Sequence, residues 1–168
     1  RFSAGLTLMT SFTWSKNIDL NSGNTGTGTD PYNFSLDRGR ADWDAPRVLS
    51  ISSVYQLPFF KGTKGVAGQV LGGWNVGNIV SVQDGYPFTP GWSGDAANTG
   101  RGSRPNRTCD GKLSDPTISR WFDPSCFGAP TQFTYGNSGR NILRGPNFFN
   151  WDMGIHKDFH LTEGWRLQ

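Results

Sequence analysis

From Phe2 to Lys16 the chain reads FSAGLTLMTSFTWSK, an alternation that barely breaks. Even positions carry Phe2, Ala4, Leu6, Leu8, Thr10, Phe12 and Trp14; odd positions carry Ser3, Gly5, Thr7, Met9, Ser11, Thr13 and Ser15. Period two means an extended strand with one apolar and one polar face. Ordinary strands run about 5–6 residues. A fold for this chain must accommodate a strand that is both long and two-faced.

The pattern recurs. RVLSISSVYQL sets Leu49, Ile51, Tyr55 and Leu57 against Val48, Ser50, Ser52, Val54 and Gln56. VLGGWNVGNIVSVQ sets Val70, Trp74, Val76, Val80 and Val82 against Gly73, Asn75, Gly77, Ser81 and Gln83. WDMGIHKDFHL sets Trp151, Met153, Ile155, Phe159 and Leu161 against Asp152, Gly154, His156, Asp158 and His160. No segment carries a 3.6-residue period, so the chain is all-β. Antiparallel strands are expected near 2–16, 47–58, 69–84, 151–161 and 165–168, each paired with its neighbour in sequence. Long connections at 17–46 and 85–150 then alternate with short ones.

Long and short connections in turn are the rhythm of an outer-membrane barrel, with long loops outside the cell and short turns in the periplasm. A tilted strand needs about 9–11 residues to cross a bilayer, its outer side in lipid and its inner side on a polar lumen. Every backbone donor must find a neighbouring strand, so such a sheet closes on itself. On this reading Phe2, Leu6, Leu8, Phe12, Trp14, Leu49, Ile51, Trp74, Val76, Val80, Trp151, Ile155 and Phe159 face lipid. Phe12, Trp14 and Trp151 fall towards the long loops, and Tyr55, Trp74 and Phe159 towards the short turns, as two interfacial belts would. The expected fold is a meander of about five strands within a larger transmembrane barrel.

Composition agrees with that class. No run of 18 apolar residues is present, which excludes a membrane-spanning helix. With Gly 23, Trp 7, Phe 12 and a mean hydropathy of -0.51, the chain resembles neither a disordered tail nor a compact α/β core. A net charge of +3 is too mild to point to nucleic acid. The chain opens and closes inside strand patterns and is expected to be part of a longer protein.

SFTWSKNID, RADWDAPRVLSISSVYQLPF, LGGWNVGNIVSVQDGYPFT, RPN and NILRGPNFFNWDMGIHKDF also resemble, in this order, the barrel region of TonB-dependent outer-membrane receptors of the Oar-like type. The resemblance implies a barrel of about 22 strands, within the range such barrels span, with this segment near its C-terminal end. It also implies residence in the outer membrane of a Gram-negative bacterium. Uptake of a scarce nutrient (a siderophore, glycan or peptide) would be energised by TonB acting through parts beyond this sequence. The partners would be outer-membrane lipids, lipopolysaccharide and the nutrient.

Enzymatic readings fare less well. His156 and His160 have the spacing that chelates zinc on a helix, but four strand residues span roughly 13 Å, too far for one ion. DRGRADWDAP and the Arg47 that follows it bring Asp37, Asp42 and Asp44 together with Arg38, Arg40 and Arg47, a salt-bridged rim rather than a glycosidase pair. No nucleophile elbow is present, and neither enzymatic activity, metal nor cofactor is expected. Cys109 and Cys126 would form a disulfide in an exported setting and stay reduced in the cytosol. The richest stretch lies between Gly85 and Asn150, where Arg101, Arg104, Arg107, Lys112, Arg120, Arg140 and Arg144 outnumber Asp95, Asp110, Asp115 and Asp123. Trp92, Arg101, Arg104, Arg107, Trp121, Arg140 and Arg144 are the candidate ligand contacts, since aromatic faces and guanidinium forks suit sugars, carboxylates and phosphates. A rival class remains at this level: a secreted soluble β-sandwich that binds or cleaves carbohydrate.

Overall fold

A computed structural model describes residues 5–23, 28–60, 62, 63, 65–162 and 165–167. In chain order the strands are β1 (Leu6–Trp14), β2 (Ile18–Asp19), β3 (Gly39–Arg40) and β4 (Arg47–Gln56). A short helix α1 (Val66–Leu71) precedes β5 (Trp74–Gln83), β6 (Pro87–Phe88), β7 (Asn106–Arg107) and β8 (Phe127–Gly128). The rest are β9 (Leu143–Arg144), β10 (Phe148–Lys157), β11 (Phe159–Thr162) and β12 (Trp165–Leu167). The chain divides into two compact units, one built from residues 1–14, 47–83 and 148–168, the other from 15–46 and 84–147.

The first unit is an antiparallel sheet in the order β1-β4-β5-β10. Its register joins Phe12 to Leu49, Leu49 to Val82 and Val82 to Phe149. One step along, Thr10, Ile51, Val80 and Trp151 form the next row. Because side chains alternate, the even residues of β1 and β5 share a face with the odd residues of β4 and β10. That face holds Leu6, Leu8, Phe12, Trp14, Leu49, Ile51, Trp74, Val76, Val80, Trp151 and Ile155. Its only ionisable cations, Arg47 and Lys157, stand at opposite strand ends. The other face carries a cross-sheet row of Ser11, Ser50, Ser81 and Asn150. Side chains on both faces are exposed: Trp14 is 84 % exposed and Met9 68 %.

Several expected boundaries move. The first strand starts at Leu6; Phe2 lies outside the described residues. The strand expected from residue 69 starts at Trp74, because α1 takes up Val66–Leu71 within the connection. The Leu57 amide donates to the Trp74 carbonyl at 2.9 Å and closes the hairpin there, so the residues between must turn. At the far end, β10 starts at Phe148, since pairing with β5 runs out to Gln83; Pro146 and two adjacent phenylalanines hide this in the sequence. Trp151 therefore sits in the interior of its strand, not at its end, and Phe149 joins the apolar face. The expected 151–161 strand also breaks at Asp158. Its amide donates to the Gly73 carbonyl, and its carboxylate accepts from Asn75 at 2.9 Å. Beyond the break β11 pairs with β12.

Two polar groups on the apolar face are satisfied locally. The Trp151 indole donates to Asn78 Oδ1 at 3.2 Å. The Lys157 ammonium donates to the Gly72 carbonyl and lies over the rings of Trp74 and Phe159, 5.3 and 4.8 Å from their centroids. Its stem covers apolar surface while its charge stays at the strand end.

The second unit gathers both long connections. Three two-stranded ladders, β2 with β3, β6 with β9 and β7 with β8, fix its backbone. Phe122 stands edge-on between Phe88 and Phe127, each centroid 5.8 Å away. Gly136 has φ 76°, and a Cβ there would lie 2.0 Å from the Arg104 carbonyl, so no side chain is tolerated. Cys109 and Cys126 are disulfide-bonded, Cα atoms 5.0 Å apart. Asp123 opens the turn Pro124–Cys126 by accepting from the Ser125 hydroxyl at 2.8 Å and its amide at 3.2 Å. These bonds hold the Asp123 carboxyl below the usual carboxylate range.

The disulfide spans 17 residues, a loop whose closure contributes roughly 3 kcal/mol in the chain-entropy model. Replacing both cysteines by serine in the full-length protein should speed tryptic cleavage after Lys112 and Arg120, both exposed inside the loop. Unchanged cleavage rates would show that the bond does not hold this segment.

Candidate functional site

The loop unit has little apolar interior. Among its described residues the buried apolar groups are Ala41, Cys126, Leu143 and the prolines Pro87, Pro90, Pro105 and Pro130, whereas Asp37, Asp44, Ser138 and Asn141 are buried and polar. Burying such groups is costly unless each finds partners. The partners come from across the unit. Each of three aspartates from residues 15–46 meets an arginine from residues 84–147.

Asp44, only 2 % exposed, accepts from Arg144 Nη2 at 2.5 Å and from the Asn17 amide at 2.7 Å. Arg144 Nη1 donates onward to the carbonyls of Asp44 and Gly85 at 2.8 and 2.9 Å. Asp37 pairs with Arg104 and also accepts from the Thr29 amide and hydroxyl at 2.8 and 2.6 Å. Arg104 reaches the Leu36 carbonyl at 2.6 Å. Asp19 pairs with Arg140, whose other amino group lies 3.8 Å from Asp42. Asn141 ties the same layer together, donating to the Arg40 carbonyl and to Asp42, both at 2.7 Å. Burial pushes the Arg140 guanidinium down from its usual range, and its Nε has no hydrogen-bond partner among the described residues.

This arrangement corrects the expected self-paired rim of DRGRADWDAP. Asp37, Asp42 and Asp44 do not pair with Arg38, Arg40 and Arg47 in any described contact; they are taken by Arg104, Arg140, Asn141 and Arg144. Among the described residues the side chains of Arg38 and Arg40 are left without a carboxylate. Three of the expected ligand contacts, Arg104, Arg140 and Arg144, are engaged in holding the unit together.

Two concavities open on the loop unit. One, of about 370 Å³, has Leu113, Trp121, Phe122 and Ile142 as apolar walls with Arg40 and Arg144 beside them. The Trp121 indole donates to the Arg144 carbonyl at 2.6 Å, which fixes the ring. The second, of about 360 Å³, is lined by Lys16, Arg38, Arg40, Arg107 and Arg140. Arg40 and Ile142 belong to both walls. Of the remaining expected contacts, Arg107 is on the basic wall, Trp92 is exposed and lines neither, and exposed Arg101 reaches the Gly28 carbonyl at 3.4 Å. Lys16, Arg38 and Arg40 were not expected as a site. The available signal was Arg-Gly-Arg in an extended run, which turns both arginines to one side.

In the sheet unit, a concavity of about 440 Å³ lies around Gln56, Trp74, Asn75 and Asp158. Asn75 and Asp158 are hydrogen-bonded to each other there. No group of three or more metal-ligating side chains occurs among the described residues.

A family model described as an outer membrane beta-barrel domain matches residues 1–168. No curated protein and no solved structure matches the chain.

Breaking a buried ion pair from one side leaves an uncompensated charge, at a cost of about 3–5 kcal/mol. Arg144→Met should therefore destabilise the loop unit by about that amount, read as faster hydrogen exchange over residues 84–147. Adding Asp44→Leu should recover part of the loss. The exposed Arg120–Asp123 pair, 3.5 Å apart, serves as control: Arg120→Met should cost about 0–1 kcal/mol. Equal effects of Arg144→Met and Arg120→Met would remove the network from its structural role.

Proposed function

The chain belongs to the outer membrane beta-barrel domain family, and from that premise we propose that it is the ligand-receiving part of an outer-membrane receptor for a scarce nutrient. The secreted sandwich is set aside with the family membership. The transported class is a siderophore, glycan or peptide, and TonB energises uptake through parts of the receptor outside this sequence. That finer reading is supported by the resemblance of SFTWSKNID, RADWDAPRVLSISSVYQLPF and NILRGPNFFNWDMGIHKDF to TonB-dependent receptors. The observation that carries it is the loop unit. Residues 15–46 and 84–147 fold into one compact body with concave walls, where a simple barrel needs only loose connections. Binding rather than chemistry is the proposed role, with no enzymatic step.

In the barrel, the face carrying Leu49, Ile51, Val76, Val80 and Ile155 meets lipid, and the row of Ser11, Ser50, Ser81 and Asn150 meets the lumen. Arg47 and Lys157 reach the two interfaces from the strand ends. Lipopolysaccharide and outer-membrane phospholipids are the surrounding partners.

A strain lacking the gene for the full receptor should grow poorly on one of three sources: siderophore-bound iron, a glycan or a peptide. Loss of TonB should reproduce that defect. Growth equal to the parent on all three would overturn uptake. The inside–outside assignment has its own test. An arginine on the lipid side near the bilayer midplane costs about 2–4 kcal/mol, while lumen positions tolerate charge. Ile51→Arg should thus reduce the folded receptor recovered from outer membranes far more than Ser50→Arg, its neighbour on the other face. Equal recovery would reverse or abolish the assignment.

A further inference from the structure

The basic concavity of the loop unit has a property the uptake reading does not require: its wall contains no carboxylate. Lys16, Arg38, Arg40, Arg107 and Arg140 converge there with Ile18, Asn141 and Ile142. Of the five cations, Arg140 is compensated by Asp19 and Asp42. Arg107 spends its Nε on the Cys109 carbonyl at 2.6 Å. Lys16, Arg38 and Arg40 have no side-chain partner among the described residues. The carboxylates that could neutralise them are the ones drawn away into the ion pairs and the Asn141 bond.

The cluster is held by backbone, not by flexible stems alone. Arg38 and Arg40 stand two apart on an extended run, and β3 is paired with β2 through Ile18–Arg40 and Asp19–Gly39. Gly39 lets this run press close to the next segment, since a Cβ there would lie 2.7 Å from the Arg140 carbonyl. Like charges gathered without counter-charge repel one another, and an anion that enters relieves the repulsion. Planar guanidinium groups match phosphate oxygens two at a time, and lysine adds a point charge. The aromatic concavity with Trp121 and Phe122 shares Arg40 and Ile142 with this wall, so the occupant's anionic group sits beside room for an apolar body.

We propose that the loop unit binds the phosphate group of an organic phosphate in the Lys16/Arg38/Arg40/Arg107 concavity, with the apolar part of that ligand against Trp121 and Phe122. The phosphate comes either from a soluble ester or from the headgroup of a membrane lipid. The inference does not rest on nutrient import: import could fail with binding intact, and import could persist with no phosphate bound.

The test uses the full-length receptor purified in detergent, with phenyl phosphate as the soluble probe and lipid A in mixed micelles as the headgroup probe. Calorimetry should give saturable binding of at least one probe, weakening as salt screens the charges, and none for phenol. Arg38→Gln with Arg40→Gln should weaken binding by about tenfold or more, whereas Arg38→Lys with Arg40→Lys should retain part of it. Arg120→Gln, outside both walls, should bind like the parent. Hydrogen exchange over residues 84–147 at the parent's rate shows that the loop unit of each variant is folded. Binding of phenyl phosphate alone assigns a soluble ester and binding of lipid A alone a headgroup; either supports the site. Absence of saturable binding to both probes, or undiminished binding by the folded double glutamine variant, overturns it.

Discussion

Three arginine–aspartate pairs hold the loop unit together. Arg144 on Asp44, Arg104 on Asp37 and Arg140 on Asp19 each connect one long excursion of the chain to the other. With few buried apolar groups among the described residues of this unit, hydrophobic burial contributes less here than in an ordinary domain. The polar interior is acceptable because nearly every buried group has its partner, and Arg144 illustrates this with bonds to a carboxylate and two carbonyls. Such networks contribute little net stability, yet removing one member is costly. They also set geometry: a guanidinium fork accepts only a narrow range of approach. The ladders, the Phe88–Phe122–Phe127 cluster and the Cys109–Cys126 bond then constrain segments that the ion pairs have already brought together.

The same pairs decide where positive charge remains. Residues 15–46 hold Asp19, Asp30, Asp37, Asp42 and Asp44 against Lys16, Arg38 and Arg40, so the first excursion is net acidic, while the second is net basic. Docking one on the other cancels most of this. Of the cations without a carboxylate partner among the described residues, Lys16, Arg38, Arg40 and Arg107 gather around a single concavity. Stability and binding are therefore coupled through one set of aspartates: any of them turned towards Arg38 or Arg40 would weaken the cross-links and fill the anion site together.

The sheet obeys a different constraint. In a bilayer, unpaired backbone groups are not tolerated, and the ladder of β1, β4, β5 and β10 pairs its strands over nearly their whole length. Side chains then only have to match their surroundings. Serine, threonine, asparagine and glycine suit a hydrated face; leucine, valine and isoleucine suit lipid. Asn78 is a polar group in the middle of the apolar side, and the Trp151 indole donates to it.

Strand faces were legible from the amino-acid order because side-chain direction alternates with the backbone itself: Leu6 and Ser11 cannot share a face in one regular strand. The all-β class followed from the same period, and the pairing of Cys109 with Cys126 needed only an exported setting, since no third cysteine competes. Strand ends were less legible. Whether Phe148 belongs to a strand depends on Gln83 lying opposite, and whether Val70 does depends on where the hairpin closes. The site lay furthest from reach. Asp37 was expected beside Arg38, but its partner is Arg104, 67 residues away; Asp44 finds Arg144 across 100, and Asp19 finds Arg140 across 121. Proximity in sequence suggested a neutral rim, while folding brought in more distant arginines with better geometry and less water around them. Sequence determined which residues could carry charge and which face each strand would show. Only the tertiary structure decided which charges cancel, because pairing depends on distance in space and on burial, and neither is written in the order of the chain.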